Sequence, residues 1–241
     1  MSNNLKMNNM NSNFNQQLSH WLQEVAEECN RIATGSKAMD LDFYAFQSDV
    51  YFRPEAMFIG ANPGGDKSYS EAKQKRGGNK RGAGDLKSDR NMFLAEEGWG
   101  TMRSLCDLFS GDILRPVFEK AVMTNVCYFN TPNFKNLLQQ NGGREALKFC
   151  VEKNVELIRD IVQPKRIVLL GNAAVGALQR YFDKPLEKLL GTPAEGWNLI
   201  RSTTMFDIPV YAIHHPSMNR KFNSGENLAL KKAKFEEIFG A

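Results

Sequence analysis

Three side chains sit where their neighbours point to contact with something other than a protein core. Asn62 lies in Gly60-Ala61-Asn62-Pro63-Gly64-Gly65, where the proline sets a turn and Gly64 and Gly65 let backbone come close to an outside group. Asn125 lies within the apolar run 121–126, and His215 stands in His214-His215-Pro216-Ser217. A side-chain amide offers both a donor and an acceptor, and a neutral imidazole offers a donor. The chemistry within reach is therefore orientation and hydrogen bonding of a polar ligand. Metal chemistry is poorly served. The four cysteines (Cys29, Cys106, Cys127, Cys150) form no C-x-x-C pair and there are only three histidines, which argues against zinc or an iron–sulfur cluster. Isolated cysteines read as small buried hydrophobes. Neither a metal nor another cofactor is expected.

Charge adds a second feature. The net charge is +4, but residues 67–90 hold eight Lys or Arg against three Asp or Glu. Lys75, Arg76, Lys80 and Arg81 form its centre. Such a stretch reads either as a solvated loop or as a contact for a phosphate backbone.

The elements that must position these groups follow from the apolar patterning. Helical spacing runs over 16–33, 99–109, 144–162, 172–182 and 227–238. Short buried strands are expected at 56–60, 121–126, 166–171 and 209–213, with a strand or hairpin at 197–203. Residues 43–52 read as a strand pair or an irregular lead-in, and 66–98 as mostly loop, because four glycines crowd its centre. Strands alternating with helices predict an α/β fold whose central, mostly parallel, four-stranded sheet is covered on both faces. Ligands bind such sheets beyond the carboxyl ends of the strands. Three of the strands run into "ANPGG", "CYFNTP" and "HHPSMNR", which brings the polar groups to one sheet edge.

The length of 241 residues suits one domain, assigned to 16–241 with a basic insert at 66–92. The Asn-rich residues 1–15 lack an apolar signal-like region and read as a disordered tail. No apolar run approaches the roughly 20 residues of a membrane span. A cytoplasmic monomer without membrane contact is expected.

"GANPGG" (60–65), "TNVCYFNTP" (124–132), "IVLLGNAAVGAL" (167–178) and "HPSMNR" (215–220) resemble, in that order, the motifs of the uracil-DNA glycosylase superfamily. The G-x-N-P-G form is most similar to its single-strand-selective and mismatch-specific branches. The resemblance covers roughly residues 50–225 and implies a three-layer α/β/α sandwich. It also implies a monofunctional, metal-free DNA glycosylase that cleaves the N-glycosidic bond of a flipped base and leaves an abasic site. DNA is the implied partner. No lysine matches a lyase nucleophile, so strand cleavage is not implied.

The resemblance also assigns roles. Asn62 would hold the attacking water through its carbonyl oxygen, by orientation rather than proton abstraction. Asp66 is the nearest carboxylate but lies outside the matching motif. His215 would donate to the base carbonyl as charge builds there, with His214 facing away. Asn125 would read the base edge, with Gly60, Ala61 and Gly64 beside it. Some relatives place a tyrosine at the position of Gly64, walling off the C5 edge, so glycine leaves C5-substituted pyrimidines admissible. Tyr69, Phe93 and Trp99 are candidates for stacking on the base. Ser217 would bind a phosphate. Met218 or Arg220 would fill the gap left by the flipped base, with Asn219 between them in the DNA-entering turn.

The substrate stays open between uracil-type bases, as in repair, and hypermodified bases of phage DNA, such as glucosylated hydroxymethylcytosine, removed in antiviral defence. Readings from other classes are a non-catalytic DNA- or nucleotide-binding module and a small-molecule α/β enzyme.

Overall fold

The computed structural model describes residues 2–35, 39–65, 67–95, 103–192, 196–217 and 220–240, without the side chains of 2–11, 95 and 220. Six strands form one mixed sheet: β1 (Met57–Gly60), β2 (Val122–Asn125), β3 (Ile167–Leu170), β4 (Glu187–Gly191), β5 (Asn198–Met205) and β6 (Ile208–Ile213). Their order is β2-β1-β3-β6-β5-β4. The first four are parallel neighbours, while β5 and β4 extend the sheet antiparallel. The expected four-stranded sheet is thus the parallel part of a larger one. The added edge strand β4 is exposed or half-buried throughout, so it lacks the continuous apolar run that marks the central strands.

The helices are α1 (Ser2–Thr34), α2 (Tyr69–Lys75), α3 (Met92–Ala95), α4 (Arg103–Leu108), α5 (Leu114–Glu119), α6 (Phe134–Gln139), α7 (Gly143–Glu156), α8 (Asn172–Leu178), α9 (Arg220–Asn223) and α10 (Gly225–Gly240). α7 continues as a π-helical turn to Val162. Alternate strand residues feed two separate cores, as the period of two requires. Met57, Ile59, Ile167 and Leu169 pack with α1, α7 and α8, whereas Phe58, Val168 and Leu170 pack with α4, α5 and α10. The sheet is therefore flanked by helices on both faces. No helix among the described residues is long and apolar enough to cross a membrane.

Two sequence expectations change. The segment 1–15 is helical from Ser2 rather than disordered, and Phe14 is buried with its ring 5.6 Å from that of Phe52. Phe14 gives this polar stretch an aromatic contact with the core. The basic insert is also less of a loop than its glycines imply. Ser68 caps α2 by accepting from the Glu71 amide at 3.1 Å, and Tyr69 and Leu86 are buried. Asn30 of α1 clamps the insert: its Oδ1 accepts from Tyr69 Oη at 2.5 Å and its Nδ2 donates to Arg81 O at 2.8 Å. The helix expected at 99–109 is α4, with residues 96–102 outside the described ones. Cys29, Cys127 and Cys150 are buried, while Cys106 is half-buried and its thiol donates to Phe93 O at 3.4 Å.

Candidate active site

The carboxyl ends of β1, β2, β3 and β6 open into one cleft of about 540 Å3. Asn62, Asn125 and His215 all line it, together with Gly60, Ala61, Gly64, Phe93 and Ser217. Hydrogen bonds beyond the strand ends hold its rim: Val126 N donates to Gly60 O, Cys127 N to Ala61 O and Thr131 N to Pro63 O, at 2.9–3.2 Å. The turn after β1 is thereby zipped to the segment after β2.

Within that rim the Asn62 amide has one possible orientation. Its Nδ2 donates to Pro63 O at 2.8 Å and to Thr131 O at 2.7 Å. Both partners are carbonyls, so only the NH2 end can face them. No described hydrogen bond engages Oδ1, which stands as an acceptor at the cleft.

Asn125 is buried at the end of β2, paired in register with Gly60. A Cβ at position 60 would lie 2.4 Å from Asn125 Oδ1, so this pairing requires glycine. Asn125 Nδ2 donates to Gln47 Oε1 at 3.0 Å. Nothing in the sequence marks Gln47 as a site residue. Its backbone is pinned on both sides, donating to Met123 O at 3.0 Å and accepting from Met92 N at 2.8 Å, and it lines the cleft. A Gly60→Ala substitution is expected to push Asn125 off Gln47 and to cost roughly 1–3 kcal/mol through overpacking. Thermal unfolding checks the stability loss, and ligand affinity should fall with it.

His215 sits where β6 ends, against Gly171 at the end of β3. Gly171 has φ +90°, and a Cβ there would come 2.9 Å from His215 Cβ, so both conformation and space demand glycine. Ser217 N donates to His215 Nδ1 at 3.3 Å, and the Ser217 hydroxyl lies 2.6 Å from the same nitrogen. A backbone N–H can only donate, so Nδ1 is the acceptor and the ring proton belongs on Nε2. Burial pushes the imidazole below its ordinary value, favouring the neutral form. His214 is engaged elsewhere: it stacks on Phe222 at 3.9 Å and its Nε2 meets Asn198 O at 3.0 Å. The turn also rests on a buried prop. Asn223 Nδ2 donates to His215 O at 3.0 Å, and the fully buried Lys231 donates to Asn223 Oδ1 at 2.7 Å. Burial lowers the Lys231 ammonium to about 8.

The remaining candidates divide. Among the stacking aromatics, Phe93 lines the cleft, whereas Tyr69 is buried in the core against Phe43, their ring centroids 6.0 Å apart. Trp99 lies outside the described residues, as do Asp66, Met218 and Asn219. Arg220 opens α9, its side chain not described. Ser217, expected to meet a phosphate, lines the cleft with its hydroxyl 2.6 Å from His215 Nδ1. Lys75, Arg76 and Arg81 line a separate recess, and Lys80 faces α1 beside Gln23 and Glu27. Gln47 escapes sequence reasoning because it lies in the irregular lead-in, with no motif around it; the bridge between Phe46 and Thr124 and its own bond to Met123 O bring it beside Asn125.

No protein-family model matches this chain, and no curated protein matches it.

Proposed function

We propose that this chain is a monofunctional DNA glycosylase of the uracil-DNA glycosylase type, acting on a flipped pyrimidine. The observation that carries the reading is the single cleft shared by Asn62, Asn125 and His215, residues more than 60 positions apart in sequence. The sheet flanked by helices, with its site at the carboxyl edge, is consistent with the three-layer α/β/α sandwich of that superfamily. The Oδ1 of Asn62 suits a water molecule aimed at the sugar C1′. The Nε2 proton of His215 suits the base carbonyl oxygen. As the C1′–N1 bond breaks, its electron pair passes to the base, where the imidazole N–H stabilises the anion. The water oxygen bonds to C1′ and its proton leaves to solvent, since an amide is no base. Asn125 and Gln47 offer a donor and an acceptor to the base edge, and Phe93 offers a ring beside it.

The test is to incubate the protein with oligonucleotides carrying different bases, add alkali, and look for a break at one nucleotide. Tight, salt-sensitive DNA binding without any abasic product would favour the non-catalytic module instead.

A second substrate reading has its own support. A Cβ at Gly64 would meet nothing within 4 Å, so the cleft is open on that side. This suits bases with large C5 substituents, including glucosylated hydroxymethylcytosine in phage DNA. Gly64→Tyr is expected to leave release of unsubstituted uracil within a fewfold and to abolish release of C5-substituted bases. Side-by-side release assays on the two substrates check this, and equal loss on both would overturn the open-wall argument.

A further inference from the structure

Beside the cleft lies a recess of about 230 Å3 whose charge the catalytic groups leave unused. Lys67, Lys75, Arg76 and Arg81 line it, with Asp42 and Glu71. Lys67 lines the main cleft as well, so the two hollows share a wall. Arg81 is engaged at every guanidinium nitrogen: Nε and Nη2 donate to the Asp42 carboxylate at 3.3 and 2.7 Å, and Nη1 to Asp85 O at 2.8 Å. Arg76 is not. Only its Nη1 reaches Asp42, at 3.4 Å, while Nε and Nη2 are shielded from solvent and have no hydrogen-bond partner. Those two nitrogens form the side of the guanidinium that grips carboxylates and phosphates with paired bonds. Its Cζ lies 5.7 Å from the centre of the Tyr69 ring, and the interaction with that tyrosine steadies the group. Lys67 and Lys75 have no described ion pair. Glu71 has none either, and it offsets only one of these cations.

We infer that this recess binds a phosphodiester of the substrate strand next to the nucleotide held in the cleft, with Arg76, Lys67 and Lys75 as its ligands. The inference rests on the glycosylase reading and goes beyond it in locating the strand. A strand whose nucleotide enters the cleft must carry its flanking phosphates past the rim, and Lys67 stands on the rim shared with the recess. A small turn of the Arg76 side chain, one-fifth of which is exposed, would present its free edge to a phosphate oxygen.

Single neutral methylphosphonate linkages, scanned along an oligonucleotide carrying a releasable base, test this on the full-length protein. One linkage, or two adjacent ones, beside the target should weaken binding about tenfold. Arg76→Gln and Lys67→Gln should flatten that step to under about twofold. Each should also lower the slope of log affinity against log salt by about one, the effect of taking one cation away from a phosphate. The Lys67 side chain has no described partner and its backbone bond from Asp42 N survives substitution, so its variant does not depend on a repaired fold. A scan without a step, or a step unchanged in both variants, overturns the recess while continued base release leaves the glycosylase reading intact. No release and no binding on any oligonucleotide overturns both. Inorganic phosphate at matched ionic strength is the second arm. If it protects the parent but not Arg76→Gln against thermal unfolding while the scan stays flat, the recess takes free phosphate and the strand assignment fails.

Discussion

Replacing Asn62 with alanine should reduce base release by on the order of 100-fold or more, while DNA affinity stays within a fewfold. The expected loss comes from position, not basicity. Nδ2 is fastened to Pro63 O and Thr131 O, so Oδ1 keeps its aim without spending side-chain freedom in each cycle. Alanine removes the acceptor and also the two bonds that fasten the turn. Single-turnover release on a fixed substrate, with binding measured separately, checks the split. Asn62→Asp is the sharper comparison. A carboxylate cannot donate to two carbonyls, so aspartate at 62 would turn away from Thr131 and lose the fastening. It should therefore fail to restore the rate despite being the stronger base. Full turnover in Asn62→Ala would remove the basis for water positioning.

The second large effect belongs to His215. His215→Ala should lower the release rate by on the order of 10²–10³-fold, the usual loss for one donor aimed at developing charge. The pH profile separates this role from mere packing. In the proposed role the imidazole works neutral, with the proton on Nε2 and Nδ1 accepting from Ser217 N. Protonation would set an N–H on Nδ1 against the Ser217 N–H. Burial lowers the folded-state value below the ordinary 6.5. Release should therefore hold its plateau as pH falls through 6.5 and decline only below it. Stability follows the same sign. Between the lowered folded value and 6.5 the unfolded chain binds more protons, so the contribution is complete above 6.5 and is lost as pH falls through that window. Ser217→Ala keeps the backbone donor, so it should cost less than His215→Ala and change mainly the acid limb. An acid limb that persists in His215→Gln would assign it to another group.

How much of this could be read from the residues alone depends on how locally each feature is encoded. The parallel strands are legible because burial on both faces leaves continuous apolar runs such as Met57-Phe58-Ile59 and Ile167–Leu170. Gathering Asn62, Asn125 and His215 follows from the rule that such sheets present their sites at the carboxyl edge. Edge strand β4 is not legible, since Glu187 and Lys188 face water and weaken the pattern. Gln47 and the Asp42 pairs with Arg76 and Arg81 are not legible either. They join residues 34 to 78 positions apart, and nothing in their own neighbourhoods marks the partner. The N-terminal segment misleads for the opposite reason, because composition averages over Phe14, which is buried against Phe52.

Lys231 links the cleft to α10. The carbonyl of His215 is held by Asn223, and Asn223 is held by an ammonium on α10 that is shut away from water. Among the described hydrogen bonds, Asn62 and Asn125 are held without α10, through Pro63, Thr131, Gln47 and Asn154. The backbone that carries the imidazole therefore leans on α10, so loosening that helix would reach His215 before the other two cleft side chains.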